Sequence, residues 1–279
     1  MQLDHKATEK LVASMRLPPA PFVVEELHRL LQNDETTIAE VGDVVAQDMA
    51  ISSLVLHTVN SSLYGLRRKA NSIHQAAALL GMSNTANLVA GLSLRQSLGD
   101  NDAPGMQGFW DSPGNIALAA AGIARQLCPG VADEAHLLGL FHNAGHLLMA
   151  QRFDGYGRFL RDNLDCPQAP VVELENRHYS CNHAVLGYYL ASTWGIQRHL
   201  AQIIRDHHDI AHLLEDGDAA TAQLAATLKL AEHCDKLFRG AQIDHEWARC
   251  GAAVLDFLGC SEPDYEELCA DIVEQLAAS

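Results

Sequence analysis

Between Phe22 and Ala277 the apolar residues recur at three- and four-residue spacing, and helix start and stop signals punctuate them repeatedly. A stiff Pro18-Pro19-Ala20-Pro21 entry precedes Phe22–Gln32, where Val23, Leu27, Leu30 and Leu31 share a face. Thr37 and Glu40 have capping-box spacing ahead of Val41, Val44 and Val45. Asp48 fits the N-cap of a stripe made by Ile51, Leu54, Val55 and Val59. Ser72 and Gln75 predict a further box, with Gly81 ending that helix, and another helix covers about 83–98. Ser112-Pro113 is read as the N-cap and first-turn proline of an Ala-rich helix to Cys128. Asp133 is expected to cap a helix that runs on through Leu137–Met149. Later helices are expected near 155–164, 170–178, 183–194, 197–208, 218–238, 244–258 and 263–277.

No strand-like alternation competes with this pattern; Val171-Val172 and Ile203-Ile204 are short β-branched pairs inside helical periodicity. The fold class predicted is all-α. The breaker GDNDAPGMQG at 99–108 suggests a boundary, giving an N-terminal helical lobe at 1–106 and a second lobe at 107–279 with a C-terminal helical extension.

Composition narrows the function classes. The chain has 279 residues, 48% of them hydrophobic, but no apolar run reaches the length of a membrane span. Its polar start, MQLDHKATEK, lacks the apolar region of a signal peptide, so a cytoplasmic location is expected. The seven cysteines are scattered without a CxxC pair, against a disulfide framework or a cysteine zinc site. Net charge is −16, from 19 basic and 35 acidic side chains. Nucleic-acid binding needs clustered Lys and Arg, and Arg67-Arg68-Lys69 alone cannot offset that charge. No nucleic-acid or membrane partner is expected. The sequence does not specify the oligomeric state.

Chemistry concentrates in histidine, of which there are 15. His142 interrupts the apolar run LLGLFHNAGHLLM, His183 opens one helix, and His207-His208 close another. Neutral imidazole is the commonest metal ligand, so His142, His183, His207 and His208 form a candidate metal cluster. The alternative is architectural, with the imidazoles satisfying helix ends. Carboxylate partners are scarce: Asp206 and Asp209 flank the HH pair, and Glu232 lies on the next long helix. Phosphate-binding loops, GxSxG and HExxH are absent from the sequence.

The segments LPPAPFVVEELHRLLQ, VVAQDMAISSLVLHTVNSSLYG and SIHQAAALLGMSNTANLVAGLSL, followed by FWDSPGNIALAAAGIARQL, AHLLGLFHNAGHLLMAQRF and NHAVLGYYLASTWGIQRHLAQIIRDHHD, resemble the bacterial HDOD domain over about 17–209. The resemblance implies an HD-domain (phosphodiesterase-like) helical bundle with an additional N-terminal lobe. It also implies kinship with the metal-dependent HD and HD-GYP phosphohydrolases, whose full ligand set HDOD proteins usually lack. Matched position by position, the first HD-type ligand falls at Ser112 and the His-Asp pair at His142-Asn143. The Lys that often follows is His146, and later histidines fall at His183 and His207-His208. A final Asp is expected near Glu232.

With Ser112 and Asn143 at ligand positions, the expectation is a degenerate site and no enzyme. The resemblance implies a non-catalytic signal-transduction module that acts through protein–protein contacts with signalling proteins in trans, the chain leaving no room for an appended output domain. The loop with Asn60, Tyr64, Arg67 and Arg68 is the candidate docking segment. No cofactor is required by this reading, although the surviving imidazoles can hold a single divalent metal ion. Two alternatives are a metal- or ligand-binding regulatory domain, and a divergent phosphohydrolase using Asp206, Asp209 or Glu232.

Overall fold

Helix caps organise the N-terminal helices. Thr37 Oγ1 accepts from the Glu40 N–H at 3.4 Å while the Thr37 N–H donates to Glu40 Oε2 at 2.8 Å, a complete capping box. Asp48 Oδ1 accepts from the N–H groups of Ala50 and Ile51, both at 3.0 Å. Such caps stabilise a helix by about 1 kcal/mol each. The computed structural model describes residues 12, 14, 15, 17–61, 69–99, 106 and 108–278. Among them there is no strand.

The N-terminal helices are α1 (Phe22–Leu31), α2 (Ile38–Ala46), α3 (Met49–Val59), α4 (Ile73–Leu80) and α5 (Met82–Leu98). The second group is α6 (Asp111–Leu127), α7 (Ala132–Phe141), α8 (Gly145–Arg152), α9 (Tyr156–Asn163), α10 (Val171–Tyr179), α11 (His183–Thr193), α12 (Arg198–Asp206), α13 (Ile210–Asp216), α14 (Ala219–Phe238), α15 (His245–Leu258) and α16 (Glu262–Ala277). One apolar core runs through both groups, from Val23 and Leu27 to Ile272 and Leu276. Helix α5 packs on α7, and the indole N–H of Trp194 at the end of α11 donates to Pro18 O at 2.9 Å. The proline-rich entry is thereby fastened to the second group. Among the described residues no single helix is long and apolar enough to cross a membrane; α4 with α5 passes only as a pair bent by 117°.

Four expectations need correction. Helix α6 begins at Asp111 with Trp110 as N-cap, because the Asp111 N–H already bonds Gly108 O and the Gly114 N–H bonds Trp110 O. Ser112 is therefore inside the first turn, free to reach across the bundle. Val131, not Asp133, precedes α7, because a 3-10 turn at Pro129–Val131 runs straight into the helix. The stretch Leu137–Met149 is two helices, α7 and α8, separated by His142-Asn143-Ala144. Helix α13 is additional; it is a seven-residue helix that buries Ile210 and Leu213.

Candidate functional site

The break between α7 and α8 creates the site. His142 and Ala144 keep right-handed helical dihedrals, so apolar periodicity passes through the interruption unaltered. Two close approaches shape it. A Cβ at Gly139 would lie 2.5 Å from Ala117 Cα, so α7 and α6 meet backbone to backbone. A Cβ at Gly145 would lie 1.9 Å from His183 O, so only glycine lets α8 start against the start of α11. That approach stacks the His146 ring on His183, with centroids 3.7 Å apart.

Five imidazoles gather here, each held through Nδ1. His142 Nδ1 lies 2.8 Å from Gly139 O and His207 Nδ1 2.7 Å from Ile204 O, at the last turns of α7 and α12. A carbonyl only accepts, so both rings donate from Nδ1 and, when neutral, carry a bare lone pair on Nε2. His183 Nδ1 lies 2.8 Å from Glu175 Oε2, His208 Nδ1 2.8 Å from Glu246 Oε1, and His146 Nδ1 2.6 Å from the Tyr156 hydroxyl. Tyr156 in turn donates to Glu175 Oε1, and so must accept from His146. Burial pushes His142, His146 and His208 down to about 4, and His207 well below its usual value. All four are neutral at pH 7.

Two carboxylates, Glu175 and Glu246, are held ionised. Burial opposes ionisation of Glu175, but His183 and His146 hold it well below the ordinary range. Glu246 is likewise held down, against burial, by Lys229 and His208. Lys229 is buried on α14; burial would lower its pKa, yet Glu232 Oε2 at 2.7 Å and Glu246 Oε1 at 2.6 Å raise it. Ionised acceptors at both Glu175 and Glu246 fix His183 and His208 as Nδ1–H tautomers. Their Nε2 atoms lie 3.1 Å apart, and when both rings are neutral they face each other with two lone pairs and no hydrogen between them. His142 Nε2 and His207 Nε2 are buried without a hydrogen-bond partner among the described residues, as is Asn143 Oδ1.

The sequence-selected residues fall as follows. His183, His207 and His208 present ligand atoms within 4.8 Å of one another, a group that could hold a metal ion, and His142 adjoins them with its ring 5.4 Å from that of His207. A second such group is His146, Glu175 and His183. Glu232 Oε1 is 3.5 Å from His142 Nε2. Opposite Ser112 stands Asp235, three residues after Glu232 on α14. Ser112 Oγ donates to Asp235 Oδ2 at 2.5 Å and Asn115 Nδ2 to Oδ1 at 2.8 Å. Burial raises the Asp235 pKa and those two donors oppose it. Asp206 is tied to its neighbour Arg205 at 2.6 Å, and Asp209 precedes α13; neither bonds the imidazoles among the described residues. Asn60 is committed to the backbone of Ala70, at 2.9 and 2.7 Å, while Tyr64, Arg67 and Arg68 lie outside the described residues.

Glu175, Tyr156, Lys229, Asp235 and Glu246 were not singled out from sequence. The available signal was their register: Glu175 lies four positions after Val171 on the buried face of α10, and Lys229 sits between Leu228 and Leu230. Above the cluster opens a cavity of about 490 Å³. Phe109 and Leu160 form apolar walls, and Asn143, His146, His208 and Glu232 form its polar floor. The volume suits a small molecule.

A family model for the HDOD domain matches residues 17–210. The chain belongs to the HDOD family. Among solved structures, an HDOD domain protein of unknown function from Geobacter sulfurreducens superposes with a TM-score of 0.72 at 22% identity, covering 98% of this chain and 96% of its own. A Shewanella amazonensis protein carrying a provisional phosphohydrolase name gives 0.70 at 20% identity, covering 99% and 100%. A Marinobacter aquaeolei protein provisionally named for signal transduction gives 0.71 at 22%, covering 99% and 65%. At these identities the likeness establishes the shared helical fold. An uncharacterized Treponema pallidum protein is 23% identical over 215 residues, 75% of this chain; the chain spans 42% of that relative's length. Lys229, Glu232, Asp235 and Glu246 all lie beyond the HDOD match, so one wall of this HDOD site comes from the C-terminal helices.

Proposed function

We propose that this HDOD protein is a non-catalytic regulatory module of signal transduction that works by docking on partner proteins. Asn143 carries the reading. It occupies the break beside His142, where the HD resemblance places a carboxylate, and its neutral amide cannot bridge two cations roughly 3.5–4 Å apart. Ser112 supplies no imidazole, and its hydroxyl is already bonded to Asp235. The strongly acidic balance favours protein partners over nucleic acid. The test is hydrolysis of a cyclic dinucleotide and of bis(p-nitrophenyl) phosphate with Mg, Mn, Fe or Ni present. No turnover above buffer is expected; metal-dependent turnover that disappears in His142→Ala overturns the reading. Affinity capture from the native host should recover signalling proteins, with recovery falling in Tyr64→Ala and Arg67→Ala.

A second reading, that the site retains one divalent metal ion, is supported by the facing lone pairs of His183 and His208. Two imidazoles on one tetrahedral zinc stand roughly 3.3 Å apart, close to the observed separation. Neutral rings with Nδ1 anchored and Nε2 bare are the ligating form, and His207 completes the group. The bound ion would supply a cross-link between α11 and α12. Untagged protein should contain about one equivalent of zinc or a similar ion by elemental analysis, and re-addition after chelation should raise Tm in the native chain but not in His208→Ala. Absence of both signals sinks the reading.

A further inference from the structure

Away from the imidazole cluster, Cys234 on α14 and Cys269 on α16 face each other with their sulfurs 3.6 Å apart, the Cys234 S–H donating. Cys234 is fully buried, whereas Cys269 retains 6% exposure. Disulfide formation requires an S–S separation of about 2.05 Å, so a helix displacement of roughly 1.5 Å closes the gap. Helix α16 is placed to make it. It packs on α14 and α6, and the chain enters it through Gly259 in the left-handed region (φ 63°) and the single residue Cys260 before the Ser261 cap.

The two sulfurs have unequal surroundings. Donation from Cys234 holds the Cys269 thiol below its usual range against burial, with the Tyr265 hydroxyl helping. The same contact, together with burial, pushes Cys234 up. The more accessible sulfur is thus also the better thiolate, and the buried one is the natural second partner.

We propose that Cys234 and Cys269 form a redox modification site that closes to a disulfide when a peroxide oxidises Cys269. The Cys269 thiolate attacks one peroxide oxygen, the O–O bond breaks, and hydroxide leaves, giving a sulfenic acid. The Cys234 sulfur attacks the sulfenic sulfur, the S–O bond breaks, and the second hydroxide leaves. The protons of the two thiols convert both hydroxides to water, so two thiols lose two electrons and one hydrogen peroxide becomes two waters. The bond pins α16 to α14 next to Asp235, the residue bonded to Ser112. It stands independently of the function proposed above.

The folded full-length chain is exposed to hydrogen peroxide, quenched with catalase and blocked with iodoacetamide. It is then digested with two proteases that separate Cys250, Cys260 and Cys269, and read by mass spectrometry. The seven thiols should fall to five, with one peptide pair linked through 234 and 269, and dithiothreitol should restore all seven. In Cys234→Ser, with no second sulfur to resolve it, a dimedone adduct should accumulate on Cys269. The proposal is overturned if the native chain yields no 234–269 linkage, if Cys269 links equally to Cys260, or if Cys269 passes to sulfinic acid unlinked. The native-chain result decides the matter even if the serine variant fails to fold.

Discussion

His183 and His208 meet through their Nε2 atoms at 3.1 Å although the other nitrogen of each ring is bonded to an ionised glutamate. Neutral imidazoles in this arrangement have no hydrogen to share. With both rings neutral the contact is electrostatically incomplete, and a cation between them would complete it.

The metal-free protein should lose stability with acid in a defined window. His136, His142, His146 and His208 are lowered from 6.5 to about 4 by burial, so between these pH values the unfolded chain binds protons that the native chain refuses. Stability is therefore full above pH 6.5 and falls as pH drops toward 4. Glu175 and Glu246, held well below their ordinary values, add to the loss at still lower pH. Urea midpoints measured from pH 8 to 4 after chelation should be flat above 6.5 and decline steeply below; a flat profile to pH 5 contradicts this.

Glu175→Ala should destabilise by about 3–5 kcal/mol in denaturant melts. The change leaves the Tyr156 hydroxyl, the His183 N–H and the His183 Nδ1–H without their buried acceptor. Glu173→Ala, two positions before Glu175, removes an exposed carboxylate paired with Arg177 and should cost under about 1 kcal/mol.

Two glycine-to-alanine changes should have opposite signs. Gly145→Ala would thrust a methyl into His183 O and should cost about 3 kcal/mol or more. Gly114→Ala, inside α6 with nothing within 4 Å of the new methyl, should stabilise by about 0.5–1 kcal/mol. Calorimetry of the pair separates steric approach from helix propensity.

Ser112→Ala should raise the Asp235 pKa, since one of two donors to a buried carboxylate is gone. A stability loss of about 1–3 kcal/mol should accompany it at pH 7 and shrink as Asp235 protonates. Carboxyl-carbon NMR titration of Asp235 measures the shift directly.

Helical periodicity and local caps made most of the fold legible in the sequence, because Thr37, Asp48 and Ser72 act on amides within three residues of themselves. The break after Phe141 was hidden because His142 and Ala144 stay in the right-handed region, so the apolar register passes through. His183, His207 and His208 could be selected from their place on apolar faces. Glu175 could not: its value to the site depends on the turn after α10, which brings it back onto the His183 N–H eight residues later. A final Asp is expected near Glu232, and Asp235 lies three residues further along the same helix; only the position of α6 decides which of the two meets Ser112.

The hydrogen bond from Ser112 to Asp235 joins positions 123 residues apart, and Lys229 meets Glu246 only after α15 has docked. During synthesis His142, His183, His207 and His208 therefore leave the ribosome before Lys229, Glu232, Asp235 and Glu246, although Glu175 precedes His183. Until the last helices arrive, a nascent chain with a matched HDOD segment and a collapsed core would expose bare imidazoles to any metal or chaperone present. A chain cut before α14 would belong to the right family yet carry an unfinished centre.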